Sequence, residues 1–388
     1  MTDPIAPQGP RAKDRAAAFI ALVIDNSLLL LTGAVAALVW ANLDFASYTA
    51  FAHLIHFPVN DIAMVFFFAL ATKEVYEATL PGGPLSSPRE GAVPILAACG
   101  GMIAPAAIYL LSIRALGMPE LHPGWAIPCA TDIAFSYLAA RLIFPPGSPA
   151  IPFLLLLAIA DDALGLIVLA IFYPSGDVSF ALLAGLLGPG VALAWGMRRA
   201  GVGNFWLYIF GPGLLSWLGM YYGGLHPALA LVPIVPFMPH QKSDLKVFGQ
   251  TAPVRLATLQ NFEHWWKIPV QFVLLAFGLV NAGVPFSAVG PVSWVILISL
   301  VAGKPIGVVG TTLIAERLGF RRAPGLDYRS LVTLGIAAGI GFTVALFFVT
   351  AANLPGVATD QAKMGALFSF GAAFLAIGVG RILGLRPR

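Results

Sequence analysis

Long apolar runs separated by short polar joints are the main pattern of this sequence. Proline, glycine and charged residues mark most of the joints, for example Pro145-Pro146-Gly147. Twelve apolar segments can be read, with approximate bounds 17–41, 60–80, 91–115, 125–144, 150–173, 178–197, 204–222, 225–238, 265–287, 291–316, 330–352 and 363–385. A helix needs about 20 apolar residues to cross a bilayer, and only segment 225–238 is clearly shorter. The pattern predicts an all-α polytopic membrane protein with twelve transmembrane helices.

The composition agrees with this pattern. Hydrophobic residues make up 59% of the chain and charged residues only 10%, about half of what an ordinary soluble domain carries. So few charges cannot cover a soluble surface, which excludes a soluble enzyme, a disordered chain and a disulfide scaffold. The two cysteines, Cys99 and Cys129, form no metal-binding or redox pattern. Because no soluble domain stands apart, we expect a cytoplasmic segment at 1–16 and a single transmembrane domain at 17–388.

The distribution of lysine and arginine predicts how the segments are oriented. Cytoplasmic loops of membrane proteins carry an excess of these two residues. If the N-terminus is cytoplasmic, only Arg114 and Lys363 of the 22 basic residues fall outside, and Lys304 lies inside a segment. All the others fall on the cytoplasmic side. This bias predicts an even number of spans, with both termini cytoplasmic.

A few charged residues lie within the apolar segments. They are Asp61, Asp132, Asp161, Asp162 and Lys304. A charge at the bilayer centre costs about 2.5–3.5 kcal/mol on insertion scales, so it usually has a function. Asp132 lies about as far before the turn at 145–149 as Asp161 and Asp162 lie after it, which puts all three about 20 Å from one end of their helices. Since Lys304 is central in its own segment, the sequence predicts three carboxylates and one ammonium near mid-membrane.

The adjacent residues Asp161 and Asp162 point about 100° apart around a helix, so they cannot share one partner. One can face Asp132 while the other faces Lys304, and the residues alone leave open which does which. Like-charged carboxylates favour protonation, whereas a lysine partner favours the charged form. Carboxylates together with the hydroxyl of Thr131 suit an alkali ion. We therefore expect a site where protons compete with a small cation; the alternative is a buried ion-pair network that only holds helices together.

Two segments carry signals of interrupted helices. Pro128 lacks an N–H and lies one helical turn before Asp132, and the eleventh segment contains Gly339 and Gly341. Discontinuous helices in corresponding halves of a transporter indicate a binding site near the midplane. Close helix packing is the alternative explanation for the glycines. Asp61, in contrast, begins its predicted segment, where an acid stabilises a helix N-terminus, so we expect it to have a structural role.

Several motifs spread over nearly the whole chain carry a resemblance. They are Asn60-Asp61-Ile62-Ala63-Met64, Ala130-Thr131-Asp132-Ile133-Ala134-Phe135, Leu157-Ala158-Ile159-Ala160-Asp161-Asp162-Ala163-Leu164-Gly165, Gly224-Leu225-His226, Glu263-His264, Asn281-Ala282-Gly283-Val284, Gly303-Lys304-Pro305-Ile306-Gly307 and Gly339-Ile340-Gly341-Phe342-Thr343. In this order they resemble the NhaA-type sodium/proton antiporter family. The resemblance implies an inverted-topology repeat in which two discontinuous helices, segments four and eleven, cross at mid-membrane. It also implies electrogenic exchange of Na⁺ or Li⁺ for more than one proton across the bacterial inner membrane, by alternating access.

The resemblance also implies roles for matching residues. Asp162, Asp132 and Thr131 would bind the transported cation or protons, with Asp162 as the principal group. Asp161 would pair with Lys304, and Lys304 and Asp132 would balance the dipoles of the crossing half-helices. A supporting charge would be Asp61, and residues with a regulatory role would be Glu74, His226, Glu263 and His264. We expect no cofactor and no nucleic acid; the partners would be the lipid bilayer, the transported ions and a second copy of the chain.

The chain departs from the family pattern at two places. In the run that reads G-L-E-V-K-R-E-L in the family, Glu74 is kept, but Tyr76 and Glu77 replace two basic residues. Because that cluster is associated with pH sensing, the departure predicts altered pH regulation. The loop between Asn42 and Asn60, which carries a dimerising β-hairpin in the family, is short here. This predicts an altered dimer contact.

Two other classes of function fit parts of the pattern. An intramembrane aspartyl protease needs two aspartates on two helices, as Asp132 and Asp162 would be. However, no G-x-G-D run surrounds either aspartate, and a central lysine has no part in that chemistry, so we do not expect an enzyme.

A channel, or a proton-coupled transporter of another cation or solute, would also use buried charges. Because the run around Glu74 differs from the family pattern, a proton-coupled transporter of another cation or solute remains the alternative to sodium exchange.

Overall fold

Helices are the regular elements of the computed structural model, which describes residues 28–240 and 257–385 and has no strand in those ranges. They are α1 (Leu28–Leu43), α2 (Phe45–Thr79), α3 (Pro88–Ala115), α4 (Pro119–Cys129), α5 (Ile133–Ile143), α6 (Ala150–Phe172), α7 (Phe180–Arg199), α8 (205–223), α9 (Thr258–Asn281), α10 (Pro291–Arg317), α11 (Tyr328–Ala338), α12 (Phe342–Ala352) and α13 (Ala358–Ile382). The predicted all-α class is confirmed. The predicted cytoplasmic segment 1–16, the start of the first apolar segment and the basic residues of 241–256 lie outside the described residues.

Six of these helices, α2, α3, α6, α7, α10 and α13, are long and apolar enough to cross a bilayer. Two bent pairs, α4 with α5 and α11 with α12, bring the number to eight within the described ranges. The chain is therefore a multi-pass membrane protein. Segment 225–238 is not among the spanning helices, because it forms only two 3₁₀ turns, Pro227–Leu229 and Val235–Phe237. Closely spaced prolines, each lacking an N–H, prevent a longer helix there.

Helix α2 differs most from the prediction. It begins at Phe45, in the stretch expected to be an external loop, where Asp44 accepts a hydrogen bond from the Ser47 N–H at 3.1 Å. That bond holds the pKa of the Asp44 carboxyl below its usual value. The helix continues through a π-helical turn at Pro58–Ala63 to Thr79. Asp61 thus lies inside a long helix, and the prediction that it begins one is wrong.

Two helices are interrupted where the sequence carries its break signals. The axes of α4 and α5 differ by 54°, and those of α11 and α12 by 49°. α4 is a 3₁₀ helix that contains Pro128 and ends at Cys129, and the extended backbone of Ala130 follows it. The two breaks touch, because the Asp132 N–H donates to the Ile340 carbonyl at 2.7 Å. A Cβ on Gly341 would lie 2.9 Å from the Ala130 carbonyl oxygen, so the contact favours glycine.

Packing between the long helices positions the two breaks. α10 packs along α3 and also contacts α11 and α13, while α1 packs along α9. The backbones of α3 and α10 approach so closely that a Cβ on Gly307 would lie 1.9 Å from the Gly100 carbonyl oxygen. Small residues permit this approach between membrane helices. The fold therefore holds α10, which carries Lys304, against the helices next to both breaks.

Candidate functional site

Lys304 and Asp161 form an ion pair in the interior. The Nζ of Lys304 lies 2.6 Å from Oδ2 of Asp161, and both side chains are almost completely buried. Lys304 also donates to the carbonyl oxygen of Cys129, the last residue of α4. A cation at the C-terminal end of a helix opposes the partial negative charge of that end. The structure thus assigns Asp161, and not Asp162, as the partner of Lys304, a choice that the residues alone left open.

Asp132 joins the starts of two half-helices. Its Oδ1 accepts from the Phe135 N–H at 3.3 Å in the first turn of α5. Its Oδ2 accepts from the Thr343 N–H at 3.2 Å, in the first turn of α12, and from the Thr343 hydroxyl. A carboxylate there satisfies amides that have no partner within their helix and opposes the positive ends of both helices. One side chain therefore holds the two breaks in register.

Two hydroxyl groups bind the carbonyls at the end of α11. The Thr131 hydroxyl donates to the Ala338 carbonyl at 2.9 Å, and the Ser136 hydroxyl donates to the Ala337 carbonyl at 2.8 Å. Carbonyls at a helix C-terminus lack intrahelical donors. The broken backbone of α11 is thus satisfied by side chains that flank the break between α4 and α5, while the Thr131 oxygen keeps the capacity to accept.

Asp162 lies in a cavity of about 280 Å³. Asp132 and Thr131 line the same cavity, so the structure brings together the three residues predicted to bind an ion. Asp162 is only half-buried, whereas Asp161 is buried against Lys304. Glu74 also lines this cavity. Three carboxylates outside the Lys304 pair, Asp132, Asp162 and Glu74, therefore share one polar space.

Two further residues of this cavity were not predicted as site residues. Thr343 lines it and binds Asp132, and Gln271 lines it with a buried Oε1 that has no hydrogen-bond partner. Both carry a recognisable signal, because each is a polar residue in an apolar helix. Thr343 directly follows the break at Gly341, and Gln271 follows Pro269 in α9. The signal is weak in sequence, since a lone hydroxyl or amide more often bonds its own helix.

Asp61 and His226 lie apart from this cavity. Oδ1 of Asp61 is 4.0 Å from Nδ1 of His226, which also accepts from the Ala228 N–H at 3.4 Å. The Trp217 indole donates to the backbone carbonyl of Asp61 at 2.8 Å. Asp61 lies in the π-helical turn Pro58–Ala63, a type of turn that is frequent at functional sites. The two residues face each other, but they do not line the space around Asp162.

The remaining predicted residues lie on two helices, Glu74 near the C-terminal end of α2, and Glu263 and His264 near the start of α9. Lys73 contacts both Glu77, at 2.7 Å, and Glu263, at 2.6 Å. Glu74 faces the Asp162 cavity, and His264 is exposed. The two basic residues that the family run would supply are absent, but Lys73, one turn before Glu77, provides a cation. The acids of α2 and α9 are therefore bridged by a lysine that the sequence comparison had not singled out.

The donor set suits a transported ion better than a resident metal. Within 28–240 and 257–385, no group of three or more His, Cys, Asp or Glu side chains could hold a metal ion. The oxygen atoms that line the cavity come instead from three carboxylates (Asp162, Asp132 and Glu74), two threonine hydroxyls, the Tyr137 hydroxyl and the Gln271 amide. Such ligands are typical of hard cations.

Comparison with known proteins agrees with this arrangement. The sequence profile of the family described as Na+/H+ antiporter 1 matches residues 16–381. Na(+)/H(+) antiporter NhaA 2 of Pelobacter propionicus is 45% identical over 94% of this chain and 98% of its own length. Na(+)/H(+) antiporter NhaA of Geotalea uraniireducens is 44% identical over 95% of this chain and 98% of its own length.

A solved structure has a similar fold. The sodium proton antiporter MjNhaP1 from Methanocaldococcus jannaschii, determined at pH 8, aligns with 96% of this chain and 94% of its own, with a TM-score of 0.52 and 13% sequence identity. At that identity the likeness concerns the fold alone. The family profile covers almost the whole chain and the relatives are close in sequence; the chain belongs to the Na+/H+ antiporter 1 family.

Proposed function

We propose that this protein exchanges Na⁺ or Li⁺ for protons across the membrane by alternating access. The relatives that match it are named Na(+)/H(+) antiporters, and members of this family are transporters, not enzymes. One observation carries the proposal: Asp132, Asp162 and Thr131 line a common cavity, while Asp161 is already neutralised by Lys304. The cavity thus has an excess of negative charge that a cation or protons can balance.

The charges of the site explain why protons and a cation would compete for it. Two carboxylates in one low-dielectric space repel each other, which favours the binding of either protons or a cation. A cation that binds Asp162 and Asp132 displaces their protons, and protons that bind displace the cation. Because one Na⁺ would replace more than one proton, each cycle moves net charge, and the exchange is electrogenic. Asp161 would separate from Lys304 during the cycle. Asp161 is the neighbour of Asp162 in α6, so a change in the charge of Asp162 acts directly on the ion pair.

We extend the proposal to the arrangement in the membrane. The chain would have twelve spans in an inverted repeat, with segments three to five matching ten to twelve, and α4/α5 would cross α11/α12 at mid-membrane. The close packing of α3 on α10, the first helices of the two triples, supports this arrangement. Residues 1–16 would form a cytoplasmic segment before a single transmembrane domain at 17–388. Both termini would lie in the cytoplasm and the protein in the bacterial inner membrane.

The same proposal covers cofactors and partners. The site chemistry needs only carboxylates, hydroxyls and the transported Na⁺, Li⁺ and H⁺, so no cofactor takes part. The lipid bilayer surrounds the apolar helices, and a second copy of the chain would form a homodimer. Because Phe45–Phe57 is helical, that homodimer would not use a β-hairpin contact.

Currents recorded from proteoliposomes on a solid-supported membrane test the proposed exchange. Na⁺ or Li⁺ jumps should give transient currents that depend on pH, and K⁺ jumps should not. Asp162→Asn should abolish these currents, because an amide neither releases a proton nor attracts a cation. Asp177→Asn, in an exposed loop, is the matched control and should leave them intact. Robust Na⁺ currents from Asp162→Asn would refute the role assigned to Asp162, and K⁺ currents of equal size in the unaltered protein would refute the ion choice.

A further inference from the structure

Two spaces of different character border Asp162. One is the cavity described above, which continues towards Glu74 and Tyr137. The other is a small space of about 20 Å³ that also borders Asp161 and Gly165. A space of this size holds about one water molecule. Asp162 thus borders a wide cavity on one side and a small space on the other, and Phe67 and Val344 line both.

Aromatic rings line the far side of the small space. Phe347 lines it and is 1% exposed. The Phe347 ring lies 4.8 Å from the ring of Phe68, 6.1 Å from that of Phe277 and 4.8 Å from that of His226, measured between ring centroids. These three partners belong to α2, α9 and the turn after α8. Phe347 is therefore the point where α12 meets three other parts of the fold.

Polar groups begin again directly behind Phe347. The His226 ring that contacts it also faces Asp61 at 4.0 Å. His226 follows the turn at Gly224, whose carbonyl accepts from the Ser175 N–H at 2.9 Å, next to the exposed loop that carries Asp177. This end of the molecule, called the Asp177 face here, is opposite the cavity that leads to Glu74. Phe347 thus lies between the space beside Asp162 and the His226–Asp61 pair, while Phe348, which lines the same space, packs against Tyr173.

A dry ring cluster blocks ions for a simple physical reason. Moving a small ion out of water into an apolar region costs many kcal/mol unless polar atoms replace its hydration shell. The rings of Phe68, Phe277 and Phe347 offer no such atoms. Apolar constrictions close ion pathways in this way by excluding water.

We propose that Phe347 is the gating residue that closes the ion site towards the Asp177 face, and that its ring must leave the Phe68–Phe277–His226 cluster for the site to open on that side. The inference rests on the proposed exchange function and adds to it the residue that separates the two faces. Phe347 does not bind the ion; it positions the barrier. α12 also carries Thr343, which binds Asp132. If ion binding releases that bond, the resulting movement of α12 would also move Phe347, one helical turn later.

Thiol labelling measures this barrier independently of transport. Gly165→Cys places a thiol in the small space beside Asp162, where a Cβ would meet no atom within 4 Å. The background carries Cys99→Ala and Cys129→Ala, the two native cysteines. A membrane-impermeant methanethiosulfonate reagent is added to intact cells and to inverted vesicles, and Asp177→Cys shows in which preparation the Asp177 face is accessible. The rate at which the Gly165→Cys thiol reacts is then compared with and without Phe347→Ala.

Phe347→Ala should increase labelling from the Asp177 face by about tenfold or more, because a minor open state is typically populated at roughly 0.1–10% and becomes the main one. Phe262→Ala removes an equally buried ring that contacts Phe205 and Trp266 instead, and it should leave the rate unchanged. If Phe347→Ala does not fold, Phe68→Ala removes the ring packed against it and should have the same effect. An unchanged rate in the folded variant, or an equal increase in the Phe262→Ala control, would overturn the proposal. Labelling does not read exchange, so the barrier and the Na⁺/H⁺ assignment can fail separately.

Discussion

At the scale of single residues, Asp132 shows why a site side chain is also structural. Its two oxygens accept from the first turns of α5 and α12, so its charge is stabilised by the backbone of both broken helices. The Thr343 hydroxyl adds a third donor, on Oδ2, and both Thr343 and Asp132 line the cavity. A cation that binds Oδ2 of Asp132 has to share that oxygen with Thr343, which makes the threonine a determinant of affinity.

Thr343→Val should change cation affinity more than stability, because valine keeps the shape of threonine and removes its hydroxyl. A hydrogen bond to a charged group contributes about 1.5–3 kcal/mol, so we expect the apparent Na⁺ affinity to shift by roughly tenfold or more. Na⁺ titration of the transient current checks this. Thr350→Val, on the same helix, loses only a bond to the Phe347 carbonyl and should behave like the unaltered protein. Identical Na⁺ dependence of the two variants would contradict the role given to Thr343.

At the scale of elements, the Lys304–Asp161 pair links three helices. Asp161 lies on α6, Lys304 on α10, and the Cys129 carbonyl that Lys304 also binds ends α4. The positions of Asp161 and Lys304 within their apolar segments predicted that both lie near mid-membrane. The sequence could not choose between Asp161 and Asp162, because the choice depends on how α6 is rotated about its axis. Packing between α6 and its neighbours sets that rotation.

Lys304→Met should lower stability strongly, because it leaves the Asp161 carboxylate buried without a partner. Removing one member of a buried ion pair costs about 3–5 kcal/mol. The double variant Lys304→Met, Asp161→Asn removes both charges and should regain much of the loss. Thermal unfolding in detergent measures the difference. A double variant as unstable as Lys304→Met alone would show that the pair is not what stabilises the three helices.

At the scale of the whole molecule, the two broken helices meet at one point. The Asp132 amide binds Ile340, the Thr131 hydroxyl binds Ala338, and Gly341 lies against the Ala130 carbonyl. These contacts join residues more than 200 positions apart in the chain. The charges of the site are therefore assembled by the meeting of two distant segments, and any change that separates the segments should reduce both stability and transport.

Gly341→Ala tests this meeting point. Its Cβ would lie 2.9 Å from a backbone oxygen that cannot rotate away, so we expect a loss of about 1–3 kcal/mol in stability, as for overpacked cores, and weaker exchange. Gly378→Ala, in α13, meets no atom within 4 Å and should be neutral or slightly stabilising, since alanine favours helix over glycine. Thermal unfolding and transient currents give both readouts. Equal stability of the two variants would contradict a tight contact at Gly341.

The sequence by itself determined the features that depend on local composition and on position along the chain. Apolar runs and scarce charge predicted an all-α membrane protein, and Pro128 and the glycines of the eleventh segment marked the places where helices break. Motifs indicated the family. The predicted all-α class and the family are confirmed, because apolar spanning length and local motifs act within one segment.

Only the tertiary structure decided which side chains meet. It paired Asp161 with Lys304, placed Asp132 and Asp162 in one cavity, and brought Thr343 and Gln271 into it. It also replaced a predicted loop with the first turns of α2 and supplied Lys73 to the acids Glu77 and Glu263. The physical reason is that helix rotation and the contacts between distant segments come from packing, which the hydrophobic pattern does not specify. The contacts of Phe347 with the rings of Phe68 and Phe277 likewise exist only because α12 packs against α2 and α9.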